Sequence, residues 1–395
     1  MNCGSDKVIY MDNNATTRIA PEVVDAMMPF LTDCYGNPSS MHTFGGQVGR
    51  AVEAARADVA QLLGADPEEI VFTSCGTESD STAILSALQT FPEQRHVVTT
   101  RVEHPAVKNL CDGLTQLTGH KHRITRLMVE ADGTLDMDRY REALSEDTGV
   151  VSVMWANNET GVIFPVEEMA ALAHERGILF HTDAVQAVGK IPINMKENRI
   201  DFLSLSGHKL HAPKGVGVLY VRKGNPFVPF LNGGHQEGGR RGGTENVASI
   251  VGLGQACKLA IRDMDEENTR VRELRDRLEK GLITSIPKSI LNGNKEQRLP
   301  NTTNISFEYV EGEAILLHMN QYNICASSGS ACTSGSLEPS HVLRAMGVPF
   351  TAAHGSIRFS LSTYNTQEEV DFVLDKMPAI IANLREMSPF WQETE

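Results

Sequence analysis

Short apolar runs of strand length alternate with longer stretches of helical pattern through most of the first 260 residues. The run at residues 150–155 is apolar apart from Ser152, which is typical of a strand buried on both faces of a sheet. Similar strand-like runs occupy residues 69–73, 96–100, 177–183, 201–206 and 215–222, with helix- or loop-length pieces between them. This alternation predicts an α/β architecture, a mostly parallel sheet covered by helices on both faces.

The pattern changes beyond residue 260. A long charged helix is expected over residues 263–280, followed by a strand at 303–309, a helix at 313–320 and a strand at 356–361. Strands and helices no longer alternate regularly there, so a domain boundary is predicted near residue 260.

Charge and cysteine content narrow the class of protein. The 395 residues carry a net charge of -14, which argues against nucleic acid or an anionic membrane as the main partner. No apolar run approaches the ~20 residues that span a bilayer, and the first residues do not resemble a signal peptide. The seven cysteines are thinly spread without a C-x-x-C pair, which favours reduced thiols in the cytoplasm over disulfides or a zinc site.

Polar residues of chemical interest follow the predicted strands, where open α/β sheets bind their ligands. Gly76 and Thr77 come after the strand at 69–73, at an expected helix N-terminus that could hold an anion. Taken alone, this pair is more typical of a simple capping turn. Asp183 and Gln186 follow the strand at 178–182, and a structural ion pair would explain an isolated Asp183 equally well.

The next strand is followed by Ser206, Gly207, His208 and Lys209. A surface position is the commonest place for a lysine, but pyridoxal phosphate needs an anion pocket, a lysine for its Schiff base and an acid facing its ring nitrogen. Gly76-Thr77, Lys209 and Asp183 supply one of each at one sheet edge. The combination therefore predicts a pyridoxal-phosphate site, in which His104, at another strand end, would stack on the ring.

Several motifs of the chain resemble those of the group I cysteine desulfurases, most closely the nitrogen-fixation type. The matching segments are residues 12–17, 36–40, 73–78, 157–161, 181–186, 206–214, 243–246, 327–336 and 357–360, and together they span the chain from about residue 8 to about 380. This resemblance implies the type I aminotransferase fold and a homodimer. It also implies a large cofactor-binding domain at 15–260 and a small α+β domain formed by 1–14 and 261–395.

The resemblance also assigns roles to individual residues. Lys209 would hold the cofactor, His104 would stack on its ring and help to move protons, Asp183 would pair with the ring nitrogen, and Gln186 would bond the ring hydroxyl. The phosphate would be held by Thr77, Ser206 and His208, with Thr244 reaching across from the second subunit.

The substrate is expected to be L-cysteine. Asn157 and Arg358 would bind its carboxylate, the arginine through its two-pronged fork, and Cys332 would accept its sulfur. No resident metal is implied, although Cys332 would be able to ligate an iron–sulfur cluster transiently. One departure from the family is Gly238, at a position where relatives often carry arginine.

The surroundings of Cys332 support a reactive thiol independently of the resemblance. No bulky apolar residue occurs between Ala326 and Ser336, so packing cannot hold this cysteine in a core. The stretch predicts a mobile, exposed loop in which a thiol is available for reaction. An accidental loop cysteine would be the simpler interpretation if no cofactor site were predicted elsewhere. Cys325 and Cys75 are expected to serve packing.

These observations predict a cysteine desulfurase that converts L-cysteine to L-alanine and leaves a persulfide on Cys332. An iron–sulfur scaffold protein would accept the sulfur, with nitrogenase maturation as the expected destination. Two alternatives stay open: an aminotransferase or selenocysteine lyase on the same scaffold, which would not need Cys332, and a binding scaffold that has lost catalysis. The presence of Lys209, Asp183, His104 and Arg358 disfavours the last.

Overall fold

The fold is given by a computed structural model that describes residues 7–116, 122–328 and 339–391. Its strands are β1 (Ile9–Tyr10), β2 (Ile70–Thr73), β3 (His96–Thr100), β4 (Arg123–Leu127), β5 (Thr148–Ser152), β6 (Leu179–Asp183), β7 (Phe202–Ser206), β8 (Gly217–Val221), β9 (Ser289–Leu291), β10 (Thr302–Phe307), β11 (Ile324–Cys325), β12 (Ser327–Ser328) and β13 (Ser356–Ser360). Its helices are α1 (Pro21–Thr32), α2 (Thr43–Leu63), α3 (Gly76–Thr90), α4 (Pro105–Gln116), α5 (Met137–Ala143), α6 (Val166–Glu175), α7 (Val247–Arg262), α8 (Met264–Glu266), α9 (Arg272–Ser285), α10 (Gly312–Asn320), α11 (His341–Ala345), α12 (Phe350–Ala353) and α13 (Gln367–Glu386).

Seven strands of the described residues form the largest sheet, in the order β2-β8-β7-β6-β5-β3-β4. Strands β4, β3, β5, β6 and β7 pair in parallel, whereas β8 runs antiparallel to both β7 and β2. Helices α4, α5 and α6 link β3 to β4, β4 to β5 and β5 to β6, whereas the described connection from β6 to β7 contains no helix. The predicted α/β class with a mostly parallel sheet is confirmed.

Both faces of this sheet are buried. In β2, Ile70 and Phe72 belong to one apolar cluster and Val71 belongs to another. In β5, Val151 belongs to the first of these clusters and Val150 to the second. Helices α3 and α4 cover one face, and α1, α2 and α7 contribute to the cluster on the other. Each fully buried side chain of this size stabilises the fold by roughly 1.5–3 kcal/mol, which explains why these strands carry apolar residues on both faces.

A second body of structure follows α7. Strands β12, β13, β10 and β9 form an antiparallel sheet, and β1 pairs in parallel with β11. An apolar cluster includes Phe307 of β10, Phe359 of β13, Leu278 of α9 and Ile380 of α13, together with Met11 near the start of the chain. The division into domains at residues 15 and 260 stays a prediction.

Two elements of the structure differ from the sequence prediction in their bounds or continuity. The predicted helix at 263–280 is broken into α8, a π-helical turn at Glu267–Val271 and α9. In that turn, the buried Glu267 carboxylate forms an ion pair with Lys190 Nζ at 2.9 Å, a tertiary contact that periodicity cannot reveal. The strand expected at 150–155 occupies Thr148–Ser152, because beyond it Met154 N donates to the Glu103 carboxylate.

None of the helices described here has the length and apolar character of a membrane span.

Candidate active site

The carboxyl ends of the central parallel strands, together with the start of α3, surround one cavity of about 390 Å³. Strand β6 ends at Asp183, β7 ends at Ser206, and a 3₁₀ turn at Gly207–Lys209 follows it directly. The predicted site residues that line the cavity are Gly76, Thr77, His104, Asp183, Gln186, Ser206, His208, Lys209 and Arg358. Tertiary structure thus brings together residues that are scattered over 283 positions of sequence, from 76 to 358.

Asp183 is a buried carboxyl at the cavity wall. Its side chain accepts a hydrogen bond from Val185 N at 2.9 Å, and no lysine or arginine among the described residues forms an ion pair with it. Burial and the neighbouring Asp80 raise the pKa of Asp183 to about 7. A buried carboxylate needs a cationic or strongly donating partner, so Asp183 fits a ligand that presents a protonated nitrogen.

Lys209 enters the same cavity from the turn after β7. Its amine donates to the main-chain carbonyl of Ala15 at 2.6 Å and to that of Asn14. Burial and the positive charge of Arg358 lower the pKa of Lys209 to about 8. The amine therefore loses its proton far more readily than an exposed lysine, which suits both a nucleophile and a base.

His104 immediately precedes α4, which begins at Pro105. Its Nδ1 accepts a hydrogen bond from Ala106 N at 3.2 Å, which leaves the proton of the neutral ring on Nε2. Desolvation by the cavity walls lowers the pKa of His104. A neutral imidazole at this position can both stack on a flat ligand and exchange a proton with it.

The start of α3 has the features of an anion-binding end. Cys75 precedes the helix and makes no side-chain hydrogen bond to its first turn. A Cβ atom on Gly76 would lie 2.9 Å from Val185 Cγ2, so the glycine keeps this corner of the cavity open. Nearby, His208 Nδ1 lies 3.1 Å from Thr16 Oγ1, and burial followed by the charge of Lys209 lowers the pKa of His208 to about 4. The corner therefore fits a phosphate group.

Arg358 closes the cavity from strand β13. Its Nη2 donates to Asp12 Oδ1 at 2.8 Å and its Nη1 to the Asn158 carbonyl at 3.0 Å. The Nε of this arginine has no hydrogen-bond partner in the described part of the chain. A buried guanidinium with an unused donor is a suitable partner for a substrate carboxylate.

Two of the predicted site residues in the described part of the chain, Asn157 and Thr244, do not line the cavity. Asn157 is buried, its amide donating to the Val102 carbonyl at 3.1 Å while its oxygen accepts from Thr160 N at 3.0 Å. Thr244 lines a separate cavity of about 200 Å³. Cys332 lies outside the described residues, so its proposed role rests on the sequence.

The structure adds cavity residues that the sequence did not single out. Asp80 lines the cavity one helical turn after Gly76, and its Oδ1 is buried without a hydrogen-bond partner in the described residues. The four-residue spacing places both on one helix face, which was a usable signal. Asp12 contacts Arg358 across 346 positions of sequence, and no local pattern indicates such a pair.

An anion-binding helix start, a buried carboxyl and a lysine at the ends of parallel strands define a cofactor-binding α/β enzyme. The family model described as "Aminotransferase class-V" matches residues 9–373, and the chain belongs to this family.

Named relatives narrow the assignment. The chain is 60% identical over 384 residues to "Cysteine desulfurase NifS" of Azotobacter vinelandii, covering 97% of this chain and 95% of that protein. Among solved structures, a "NIFS-LIKE PROTEIN" superimposes with a TM-score of 0.89 at 38% identity, covering 96% of this chain and 100% of that one. The structure "SspA in complex with cysteine" gives a TM-score of 0.79 at 35% identity, covering 90% and 99%. Within its family, the chain belongs with the cysteine desulfurases.

Proposed function

We propose that the protein uses pyridoxal phosphate to convert L-cysteine to L-alanine, with Cys332 as the sulfur acceptor. The observation that carries this proposal is the convergence of Lys209, Asp183 and the start of α3 on one cavity that Arg358 also lines. In the reaction, the Cβ–S bond of cysteine breaks and an S–S bond to Cys332 forms. L-Cysteine and the enzyme thiol thereby give L-alanine and an enzyme persulfide, with no external oxidant or reductant.

The cavity residues fit pyridoxal phosphate in charge and in shape. Lys209 would hold the aldehyde carbon, Asp183 the ring nitrogen, and Gln186 the ring hydroxyl. The phosphate would lie at Gly76 and Thr77 with Ser206 and His208 beside it, the corner that a Cβ on Gly76 would obstruct. When bound, the cofactor supplies an electron sink that activates the bonds at the substrate's Cα and Cβ.

The remaining chemistry belongs to side chains of the chain. Arg358 holds the substrate carboxylate, and Asn157 stays a predicted contact of both cofactor and substrate. Lys209, with a pKa of about 8, takes the Cα proton as its neutral amine. His104 holds a proton on Nε2 and is placed to exchange it with the substrate. The Cys332 thiolate attacks the sulfur atom and removes it.

The sulfur must then leave the enzyme. We propose an iron–sulfur scaffold protein as the acceptor, and nitrogenase maturation as the destination of the sulfur, because the relatives include a protein named "Cysteine desulfurase NifS". A homodimer is proposed as the working unit, with Thr244 completing the phosphate site of the partner. The free cysteines among the described residues favour a reducing compartment, the cytoplasm.

The decisive experiment combines spectroscopy with product analysis. The purified protein should absorb near the border of the visible and ultraviolet, and borohydride should fix the cofactor to the peptide that contains Lys209. Lys209→Ala should abolish this adduct, whereas Lys214→Ala, which alters an exposed lysine of the same segment, should not. L-Cysteine should give equal amounts of alanine and labile sulfur. An adduct on another lysine, or an absence of alanine, would contradict the proposal.

A further inference from the structure

Asp12 joins the substrate arginine to the strand that precedes residue 329. Its Oδ1 accepts a hydrogen bond from Arg358 Nη2 at 2.8 Å and another from Ser327 Oγ at 2.8 Å. Ser327 lies in β12 and pairs directly with Arg358 of β13 in the sheet register. One carboxylate oxygen therefore connects the guanidinium to the chain just before segment 329–338.

A second carboxylate holds the chain just after that segment. Ser340 Oγ donates to Glu159 Oε2 at 2.5 Å, and Ser340 is also the N-cap of α11, where it accepts from Val342 N at 3.0 Å. Glu159 follows Asn158, whose carbonyl accepts a hydrogen bond from Arg358 Nη1 at 3.0 Å. Nη2 of Arg358 thus reaches the chain before this segment through the Asp12 carboxylate, whereas Nη1 binds the carbonyl next to Glu159, the residue that holds the chain after the segment.

These contacts are not accounted for by packing. Glu159 is half-buried, and desolvation raises the pKa of its carboxyl to about 7 although Ser340 and Arg358 both oppose that shift. A desolvated acid is costly compared with an apolar side chain of similar size. The contacts also join elements that are far apart in sequence, with 315 positions between Asp12 and Ser327 and 181 between Glu159 and Ser340.

We infer that Asp12 and Glu159 are positioning residues that hold both ends of the Cys332-containing segment to Arg358. The substrate carboxylate and the sulfur-accepting thiol would then both be positioned relative to the Arg358 guanidinium. The inference rests on the proposed function, because it assumes that Arg358 binds the substrate carboxylate and that Cys332 receives the sulfur. It assigns the two acids to the sulfur-transfer half of the reaction.

Substituting Ser327 or Ser340 removes one of these hydrogen bonds without changing any charge near the arginine. Ser327→Ala removes the hydrogen bond to Asp12 and leaves the ion pair between Asp12 and Arg358 intact. Ser340→Ala removes the bond to Glu159, although it also removes the cap of α11, so Ser327→Ala is the cleaner variant. Ser327→Thr and Ser340→Thr keep a hydroxyl in each position. Ser285→Ala, in an exposed position of α9, is the control.

Two quantities should be measured on the cofactor-loaded enzyme. Cysteine binding is followed from the absorption change of the cofactor, and persulfide formation on the Cys332 peptide from rapid-quench mass spectrometry at saturating cysteine. We expect Ser327→Ala and Ser340→Ala to slow persulfide formation roughly tenfold or more, the usual effect of losing a hydrogen bond to a charged group. The half-saturating cysteine concentration should change by less than about twofold. The threonine variants and Ser285→Ala should resemble the wild type.

The outcomes separate this inference from the function on which it rests. If wild-type enzyme forms the persulfide on Cys332 and both alanine variants do so at the same rate, the positioning role is wrong and the proposed function stands. If the alanine variants weaken cysteine binding and persulfide formation equally, the serines support the site as a whole and the inference also fails. If wild-type enzyme forms no persulfide on Cys332, the proposed function itself is wrong.

Discussion

His181 Nε2 lies 3.5 Å from Asp80 Oδ1, on the strand that ends two residues later at Asp183. Burial lowers the pKa of His181 to about 4 and raises the pKa of Asp80 to about 7. Between these values both side chains are neutral, so the contact is not an ion pair. The cavity wall near Asp183 therefore contains a second carboxyl that keeps its proton up to neutral pH.

We expect this carboxyl to make stability depend on pH. Because the pKa of Asp80 is 3.8 in its unperturbed state and about 7 when folded, the unfolded chain loses its proton first as pH rises. The contribution of Asp80 is thus fully present below pH 3.8 and declines until about pH 7. The asparagine of Asp80→Asn cannot ionise. The free energy of unfolding of this variant, relative to that of the wild type, should therefore increase by roughly 1–4 kcal/mol as pH rises across this range.

Guanidinium unfolding at pH 5 and pH 8 would measure this difference. The buried residues that face Asp80 also titrate, notably Asp183, His181 and Glu103, so each comparison must be made against the wild type at the same pH. A stability difference between Asp80→Asn and the wild type that stays constant from pH 5 to pH 8 would show that Asp80 keeps an ordinary pKa.

Two glycines with equally open surroundings should respond to alanine in opposite directions. A Cβ on Gly238 or on Gly46 would meet no atom within 4 Å, but Gly238 has a φ of +64° whereas Gly46 lies in α2. Gly238→Ala should destabilise the protein by about 1 kcal/mol, because L-residues avoid that conformation. Gly46→Ala should stabilise it by about 0.5–1 kcal/mol.

The measurement is the free energy of unfolding of both variants at one protein concentration. Gly238→Arg should show the same backbone cost as alanine if the arginine adopts this φ. Equal effects of alanine at the two positions would mean that steric surroundings, and not backbone conformation, decide the outcome.

Removing Cys332 should separate the two halves of the proposed reaction. Cys332→Ala should bind pyridoxal phosphate and cysteine with the same absorption changes as the wild type. Alanine release should fall by roughly 10³-fold or more, since no thiol remains to take the sulfur. Cys325→Ala provides the matched control. Continued alanine production by Cys332→Ala, with the persulfide found on Cys325 or Cys75, would overturn the assignment of the acceptor.

Mixed subunits would test the shared site. Thr244 lies outside the cavity that contains Lys209 in the same chain, as expected if it serves a partner. Inactive Lys209→Ala and Thr244→Ala subunits, mixed under conditions of subunit exchange, should regain part of the wild-type activity because one of the two hybrid sites is intact. No recovery despite demonstrated exchange would place Thr244 outside the site.

Local sequence pattern anticipated much of the central sheet. Strands β3, β6 and β7 lie within a few residues of the expected runs, because a strand buried on both faces carries apolar residues at successive positions, as at Val97-Val98, Leu179-Phe180 and Phe202-Leu203. Strand β4 was not anticipated. It lies at the sheet edge and its residues are mostly exposed or half-buried, so selection for apolar side chains is weak there.

The same reasoning explains which part of the site was accessible from sequence. Gly76, Asp183 and Lys209 lie at the carboxyl ends of three buried strands, β2, β6 and β7, and parallel strands end at one edge, so the pattern alone placed them together. The roles of Arg358 and Cys332 came from family resemblance.

The tertiary structure alone decided which groups share hydrogen bonds. It paired Asp12 with Arg358 and Glu159 with Ser340, and it committed the Asn157 amide to the Val102 carbonyl. These contacts join residues that are 55, 181 and 346 positions apart, and partners so distant in sequence leave no periodic trace in the chain. Sequence periodicity determined where the strands end, and packing determined what the side chains at those ends are able to reach.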